Sequence, residues 1–214
     1  MADDGIPGLR AHKKRQTRQA ISTAANRLFA DRGFDRVTIS EVAAAAGVAK
    51  MTVTNYFPRK EDLVLGLHDA FVTGPARTVA QRSVGESALA ALRGAYLMAV
   101  ERHDPVIGFS DGPFARIVVG SPVLMARLRE FHEQREDALA GVLMAETGAE
   151  PHDITPRAAA ALLGGAHRVL YQEILRRSLG GERVEELAEA HAGSARRTFD
   201  LLEPSLGGYA VRRG

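Results

Sequence analysis

Five basic side chains occur within nine residues near the start of the chain, with no acidic residue between them. They are Arg10, Lys13, Lys14, Arg15 and Arg18. Such a run is typical of groups that bind phosphate. It is also typical of a solvated terminal segment, since basic runs at termini are common and bind many polyanions weakly. The run therefore needs a motif beside it before it indicates a partner.

A second set of polar side chains lies further along, with donors and acceptors on Lys50, Thr52, Thr54, Asn55 and Tyr56. The apolar residues Val48, Val53 and Phe57 are spaced among them as they would be on the opposite face of a helix. A helix with these two faces could pack on a protein core and offer hydrogen bonds to base edges.

The charge is divided unevenly along the chain. Residues 1–60 hold 11 Lys or Arg and five Asp or Glu, a net charge of +6. The remaining 154 residues hold 17 Lys or Arg and 21 Asp or Glu, a net charge of −4. A basic N-terminal part joined to an acidic remainder indicates that a polyanion would bind at the N-terminal part.

The composition, 45% hydrophobic and 25% charged residues, is that of an ordinary globular protein. The 214 residues include no cysteine, which excludes disulfides, a cysteine nucleophile and cysteine-bearing metal sites. The longest stretches without a charged residue, Ile117 to Ala126 and Ala158 to His167, have ten residues, against roughly 20 in a membrane-spanning helix. Met1 to Leu9 contains Asp3 and Asp4 and no apolar core, unlike a signal peptide. We expect a cytoplasmic protein with no membrane contact, no cofactor and no metal.

Helical periodicity runs through almost the whole sequence, and no sustained two-residue alternation indicates a strand. The expected fold class is therefore all-α. The spacing predicts a first helix over about Lys14 to Arg32, with an apolar stripe and a stop at Gly33. Thr38 and Glu41 form a capping box that begins a short second helix, which runs to Ala46.

A third helix is predicted from Lys50 to Tyr56, and a fourth from near Arg59 to Phe71 with Glu61 and Asp62 in its first turn. Gly74-Pro75 is read as a break. Beyond it, turn signals predict five longer helices over 87–103, 105–120, 122–147, 155–178 and 184–203.

The second and third helices, joined through Gly47, have the proportions of a helix-turn-helix, whose second helix lies in the DNA major groove. This motif needs a first helix that packs rigidly, a tight turn, and a second helix with one apolar and one polar face. Val42, Ala43 and Ala46 suit a first helix that packs rigidly, and Gly47 suits a tight turn. Residues 48–57 suit a second helix with one apolar and one polar face.

Residues Thr17 to Leu65 resemble the DNA-binding domain of the TetR family of bacterial transcriptional repressors. The matching residues have fixed spacing and are Thr17-Arg18, Ile21, Ala24-Ala25, Leu28-Phe29, Gly33-Phe34, Thr38, Val42-Ala43, Ala46-Gly47-Val48, Tyr56-Phe57 and Lys60-Glu61-Asp62-Leu63. They span about a quarter of the chain, and the rest is similar only in being helical and of suitable length. The resemblance implies a homodimeric, ligand-responsive transcriptional regulator, by family default a repressor that is released from a pseudo-palindromic operator by a small-molecule effector.

Three residues depart from the family pattern. Ala49 stands where Ser usually caps the third helix, which removes an N-cap typically worth about 1 kcal/mol. Arg59 replaces a small capping residue, so the next helix must rely on Glu61 and Asp62. Thr54 stands where the family often has Tyr, so the operator sequences of relatives cannot be transferred.

By this resemblance, the DNA-binding residues are Lys14, Arg18, Thr38, Ser40, Lys50, Met51, Thr52, Thr54, Asn55, Tyr56 and Lys60. Tyr56 and Lys60 are expected to contact phosphates, and Lys50 suits the O6 and N7 atoms of guanine. Asn55 could pair with adenine or a phosphate, and Met51 could touch a thymine methyl. Each of these residues could instead pack in the protein or remain on its surface without contacting DNA.

The resemblance also implies an effector pocket in the C-terminal part. The candidates are polar and aromatic residues on apolar helix faces, namely Tyr96, His103, Phe109, Phe114, Arg116, His132, Arg135, His167 and Tyr171. Each could instead be a satisfied core residue or part of the surface. The repeated Arg and His favour an anionic or acyl-bearing effector over a cationic one.

We expect a DNA-binding head over residues 1–66 and an effector-binding and dimerising body over residues 67–214. One recognition helix reads few base pairs, so two half-sites and a homodimer are expected. The last two helices are the expected interface, with candidate contacts at Leu162, Gly165, Ala166, Val169, Leu187, Ala190, Ser194 and Leu201.

Two other function classes compete with this interpretation. An enzyme is not expected, because His132-Glu133 lacks the second His of a zinc protease, Gly120-Ser121-Pro122 lacks the closing Gly of a nucleophile elbow, and no Gly-Lys-Ser/Thr phosphate loop occurs. An all-helical adaptor that binds another protein through its last two helices would explain their apolar face. It would not explain the basic N-terminal part.

Overall fold

The computed structural model describes the backbone of residues 7–214 and the side chains of residues 12–214. This part of the chain folds into ten α-helices and two short 3₁₀ helices and contains no strand, which confirms the all-α class. The side chain of Arg10, and the first six residues of the expected head, lie outside the described residues.

The helices are α1 (Pro7–Arg32), α2 (Ile39–Ala45), α3 (Lys50–Tyr56), α4 (His68–Gln81), α5 (Ala88–Glu101), α6 (Gly112–Gly120), α7 (Pro122–Thr147), α8 (Thr155–Leu179), α9 (Val184–Asp200) and α10 (Glu203–Leu206). The 3₁₀ helices are Lys60–Leu63 and Pro105–Ile107. Helices α2, α3, α5, α7 and α8 agree with the predicted bounds within two residues, whereas α1 begins earlier and α9 ends earlier than predicted.

The chain divides into two compact units. Of the described residues, unit 1 holds 7–66 and Arg116–Met125, and unit 2 holds Leu67–Ala115 and Ala126–Gly214. The segment Arg116–Met125, which the sequence places in the body, therefore clusters with unit 1.

The core of unit 1 comes from the apolar faces of its short helices. Its buried side chains include Ile21, Ala25, Phe29, Phe34, Val37, Val42, Ala43, Val53, Phe57 and Leu63. Each large apolar side chain buried in this way stabilises the fold by roughly 1.5–3 kcal/mol. Ala46 and Val48, which were expected to face inward, are only half-buried.

The predicted fourth helix over residues 59–71 is wrong. The chain forms a 3₁₀ helix first, and α4 begins only at His68. Between them, Leu63, Val64 and Leu65 are all buried, with 3%, 8% and 8% of their surface exposed. Three consecutive residues of an α-helix point in directions about 100° apart, so a regular helix could not bury all three on one side.

Gly74-Pro75 lies inside α4 and does not break it. Pro75 has no N–H, so the carbonyl of Phe71 loses its usual helical partner. The helix nevertheless continues, because Phe71, Val72, Ala76 and Val79 are buried along it.

The single helix predicted over residues 105–120 is also wrong. A 3₁₀ helix ends at Gly108, whose φ of +111° lies in the left-handed region. A Cβ at Gly108 would lie 3.1 Å from the Tyr171 ring, so glycine is also needed for space. Asp111 then begins α6, because its Oδ1 accepts the N–H of Phe114 at 2.8 Å.

Unit 2 has its own core, to which α4, α5, α7, α8, α9 and α10 contribute. Large buried members include Leu89, Leu92, Leu139, Leu143, Leu163, Leu170, Ile174, Leu187 and Phe199. Among the helices described, none is both long and apolar enough to cross a membrane.

Candidate nucleic-acid interface and buried polar cavity

The turn between α2 and α3 is closed by two backbone hydrogen bonds. Gly47 has a φ of +66°, which a residue with a Cβ rarely adopts. Its N–H donates to the carbonyl of Ala44 at 3.2 Å, and the N–H of Val48 donates to the carbonyl of Ala43 at 3.0 Å. This is a Schellman motif, which satisfies the free carbonyls at the end of α2. It fixes the direction in which the chain enters α3.

The start of α2 carries the predicted capping box. The N–H of Thr38 donates to Glu41 Oε2 at 2.7 Å, and the N–H of Glu41 donates to Thr38 Oγ1 at 3.3 Å. Arg32 at the end of α1 pairs with the same carboxylate, with 2.7 Å between Nη2 and Oε1. The hydrogen bonds from Thr38 and Arg32 lower the pKa of Glu41 to about 2. The Thr38 hydroxyl, a candidate DNA contact, is thus part of the cap.

The end of α3 is held by Arg18 of α1. The Arg18 guanidinium donates to the carbonyl of Tyr56 at 3.1 Å and to that of Gly66 at 3.4 Å. It also lies 4.4 Å from the centre of the Phe57 ring. Arg18, expected to bind DNA, therefore fixes the C-terminus of α3 in this structure.

Lys60 is turned toward the protein. Its ammonium donates to the carbonyl of Phe34 at 2.6 Å and lies 4.2 Å from the centre of the Phe34 ring. Burial lowers its pKa, although Asp35, Glu61 and Glu41 oppose this shift. The expected phosphate contact of Lys60 therefore requires its bond to Phe34 to open. Lys60 is the first residue of a 3₁₀ helix. Asp62 caps the N-terminus of this helix, because its carboxylate accepts a hydrogen bond from the N–H of Arg59 at 3.0 Å.

The outer face of α3 carries the remaining DNA-binding candidates. Lys50 and Asn55 are exposed, Met51 has 70% of its surface exposed, and Thr52, Thr54 and Tyr56 are half-buried. The Thr54 hydroxyl donates to the carbonyl of Met51 at 3.0 Å within the helix. Ala49 gives α3 no side-chain cap, as expected. Ser40 and Lys14 are also exposed.

Unit 2 contains a cluster of buried polar and aromatic side chains. The Arg135 guanidinium donates to His132 Nδ1 at 2.7 Å and lies 4.6 Å from the centre of the Phe71 ring. Nδ1 of His167 donates to the carbonyl of Leu163 at 2.8 Å. A third hydrogen bond, 2.9 Å long, joins the hydroxyl of Tyr96 to Nε2 of His191. Tyr171 packs edge-on against both Phe71 and His132.

Burial dominates the electrostatics of this cluster. Burial and the nearby Arg135 cation lower the pKa of His132 and of His167 to about 3 each. Burial raises the pKa of Tyr171 to about 12 and also raises that of Tyr96. At neutral pH these histidines and tyrosines are uncharged, and Arg135 carries the cluster's positive charge.

A cavity of about 270 Å³ opens beside this cluster, within unit 2. Its wall is largely apolar and includes residues of α4 and α5, such as Phe71 and Leu92. The side chains of Tyr96, Arg135 and His167 supply polar groups. An apolar cavity with a few polar groups is the usual form of a small-molecule site.

Residues 21–67 match the family model of bacterial regulatory proteins of the tetR family. The regulator TcmR from Streptomyces glaucescens, an HTH-type transcriptional regulator, is 30% identical over 173 residues, which cover 78% of this chain and 76% of TcmR. The chain belongs to the TetR family. It is a DNA-binding transcriptional regulator, and α2 and α3 are its helix-turn-helix.

Two solved structures share the fold of this TetR-family chain. SmeT in complex with triclosan is 18% identical to this chain. The match covers 93% of this chain and 96% of SmeT, with a TM-score of 0.56. NalD, the secondary repressor of the MexAB-OprM multidrug efflux pump in Pseudomonas aeruginosa, is 20% identical to this chain. The match covers 86% of this chain and 97% of NalD, with a TM-score of 0.52.

The structure brings some of the effector candidates together and separates others. Tyr96, His132, Arg135, His167 and Tyr171 lie in the buried cluster, and Phe109 is buried with its ring centre 6.3 Å from that of His191. His103 is half-buried against Phe109, and Phe114 is half-buried. Arg116 belongs to unit 1, is exposed, and lines a surface pocket beside Phe34 and Asp35.

Sequence reasoning missed Phe71 and His191 as members of this cluster. The sequence pattern predicts Phe71 at the end of a fourth helix, but Phe71 lies near the start of α4 and lines the cavity. His191 is fully buried on α9. A histidine on an otherwise apolar helix face was the available signal. No group of three or more potential metal ligands occurs within the described side chains.

The candidate dimer contacts divide into two groups. Leu162, Val169 and Leu201 are exposed, with 49%, 59% and 80% of their surface accessible. Ala190 is exposed, and Gly165 and Ser194 are half-buried. Leu187 and Ala166 are buried within unit 2, with 1% and 8% of their surface exposed.

Proposed function

We propose that this regulator is a repressor that binds a pseudo-palindromic operator as a homodimer through α3. The observation that carries the proposal is the exposed face of α3, with Lys50, Met51 and Asn55, on a helix fixed at one end by the Gly47 turn and at the other by Arg18. A rigid helix of this kind can present side chains to base edges in a constant register. NalD, which shares the fold, is a repressor.

A homodimer is supported by the outer surface of the last long helices. Leu162 and Val169 are seven residues apart on α8 and thus lie on one face, with Gly165 between them. Exposed apolar residues in one stripe, separated by a small residue, suit close packing against a symmetry-related helix. In this proposal residues 67–214 dimerise, and residues 1–66 bind DNA.

Release from the operator would follow binding of a small molecule in the cavity of unit 2. Helix α4 lines that cavity, and only Leu67 separates it from Gly66, the last residue of the N-terminal segment of unit 1. A shift of α4 would therefore reach the head through a short connection and change the separation of the two α3 helices. Since its proposed target is DNA in a bacterial cell, the cytoplasm is the proposed location.

Selection of bound duplexes from a random DNA pool tests the proposal, followed by affinity measurements at several salt concentrations. We expect an inverted repeat with half-sites about one helical turn or somewhat more apart, and a steep loss of affinity with salt. Enrichment of no sequence, with weak binding even at low salt, would contradict it and favour the adaptor function.

A further inference from the structure

Arg135 is a buried cation with too few partners. Only 5% of its surface is exposed. Its hydrogen bond to a neutral imidazole, His132, is one of five that a guanidinium can donate. Its Nε atom is buried without a hydrogen-bond partner. Within the side chains described, Arg135 forms no ion pair with a carboxylate.

A buried guanidinium with unused donors destabilises the fold unless a further group accepts its hydrogen bonds. A charge removed from water is normally paired and fully hydrogen-bonded, because desolvation otherwise costs several kcal/mol. The Phe71 ring below the guanidinium compensates only part of that cost. Nε2 of His132 is likewise buried without a partner. The missing partner is therefore expected to be an acceptor with negative charge.

Arg135 lines the cavity of unit 2, so an acceptor could reach it there. The other formally charged residues of the wall are Arg102 and Asp104, whose charges cancel. The Asp104 carboxylate is engaged locally, since its Oδ1 accepts a hydrogen bond from the N–H of Val106 at 2.9 Å. The cavity therefore carries a net positive charge that comes from Arg135 and suits a single negative charge.

The rest of the wall defines the body of the ligand. Phe71, Leu92, Tyr96, Ala99 and Ile107 form a mainly apolar and aromatic surface. The volume of about 270 Å³ lies just below the roughly 300–1,000 Å³ typical of sites for drug-sized molecules. The site thus suits a compact ring better than a long acyl chain.

We propose that Arg135 binds the carboxylate of a small, apolar monocarboxylic acid in the cavity of unit 2. This inference rests on the proposed function, because such an acid would be the effector. His167, whose Nδ1 donates to Leu163, would offer its Nε2 as an acceptor for a ligand hydroxyl.

Calorimetric titration of the full chain tests this with benzoate, benzamide and acetate as probes. Benzoate and benzamide have the same ring and similar size, but only benzoate is charged, and acetate lacks the apolar body. We expect benzoate to bind at least about 30-fold more tightly than benzamide, and more tightly than acetate. Equal affinities for benzoate and benzamide, or no binding of benzoate at millimolar concentration, would overturn the proposal.

Two variants locate the site. Arg135→Met should weaken benzoate binding by at least about 30-fold, whereas Arg77→Met, the same change at an exposed arginine of α4 outside the cavity wall, should not. Arg135→Met should also unfold at the same or higher urea concentration than the wild type, because it removes an uncompensated charge. Retained benzoate binding in Arg135→Met would overturn the proposal. If Arg135→Met does not fold, the relative affinities of the wild type for benzoate and benzamide still test whether the site binds a carboxylate.

Operator binding separates this proposal from the proposed function. If benzoate binds through Arg135 but leaves the affinity for a selected operator unchanged, the site stands and the release mechanism fails. If no operator is found at all, the titrations still decide whether the site exists.

Discussion

Arg18 of α1 donates a hydrogen bond to the carbonyl of Tyr56, the last residue of α3, although the two residues are 38 positions apart in the chain. The last carbonyls of a helix lack partners within it, and a cation beside them adds a favourable interaction with the helix dipole. The side chain that holds the recognition helix in place thus comes from the basic run near the start of the chain.

Replacing Arg18 by Ala should weaken both the fold and DNA binding. We expect a loss of about 1 kcal/mol in the free energy of unfolding, because the hydrogen bonds and the contact with Phe57 are lost. DNA affinity should fall by a similar factor for all duplexes, because α3 is positioned less firmly. Urea unfolding and binding to single-base operator variants measure both effects.

Arg27→Ala is the matched control for Arg18→Ala. Arg27 is also an exposed arginine of α1, and within the described side chains it forms no hydrogen bond or ion pair. Its replacement should leave the free energy of unfolding almost unchanged. Reduced affinity with unchanged stability in Arg18→Ala would instead show that Arg18 acts on DNA directly.

Lys60→Ala distinguishes a structural lysine from one that binds phosphate. If the bond to Phe34 persists in the complex, we expect a loss of about 1 kcal/mol in stability and an unchanged dependence of affinity on salt. If the ammonium instead leaves Phe34 for a phosphate, the salt slope should fall by about one. Measuring affinity for a selected operator at several salt concentrations separates the two.

Gly47→Ala tests the turn of the helix-turn-helix. A Cβ at Gly47 meets no atom within 4 Å, so the cost comes only from the positive φ and should be about 1–2 kcal/mol. Gly47→Asn should lose less, because Asn tolerates this conformation better. Equal losses in both variants, measured by urea unfolding, would show that conformation does not explain the glycine.

The buried histidines should make the fold sensitive to mild acid. Burial lowers the pKa of His132 and His167 to about 3 and that of His191 to about 4. The unfolded chain, with an ordinary pKa near 6.5, therefore binds protons that the folded protein does not. Stability is fully present above pH 6.5 and falls as the pH drops toward 3–4, with a loss of roughly 1 kcal/mol per histidine between pH 7.5 and 5.5.

His167→Asn checks the contribution of one of these histidines. The Asn amide can still donate to the carbonyl of Leu163 but does not titrate, so the loss between pH 7.5 and 5.5 should shrink by roughly 1 kcal/mol. The same change at His12, an exposed histidine, should leave the loss as it is in the wild type. An undiminished loss in His167→Asn would mean that folding does not lower the pKa of His167.

Features fixed by neighbouring residues could be predicted from the sequence. The Thr38–Glu41 capping box and the end of α2 at Gly47 depend on residues within a few positions, and both were predicted. The bounds of α3, Lys50–Tyr56, follow equally from local signals, because Phe57-Pro58 ends the helix.

Features that depend on distant contacts could not be predicted in the same way. The sequence offers acidic residues and helical spacing after Arg59, yet burial of Leu63, Val64 and Leu65 overrides them. Lys60 resembles a free basic residue until the carbonyl of Phe34, 26 positions away, is placed beside it. The sequence names Arg135 as a pocket residue, but its lack of an anionic partner emerges only when α4, α7 and α8 come together.

Helix α3 is proposed to read DNA sequence, and affinities measured base by base test this claim. Affinities of the wild type and of Lys50→Ala, Met51→Ala and Asn55→Ala should be determined for every single-base variant of a selected half-site. We expect each replacement to relax the preference at one or two base positions, by about 1–3 kcal/mol at a position read by a bidentate contact. A uniform loss at all positions, or none, in all three variants would contradict the claim.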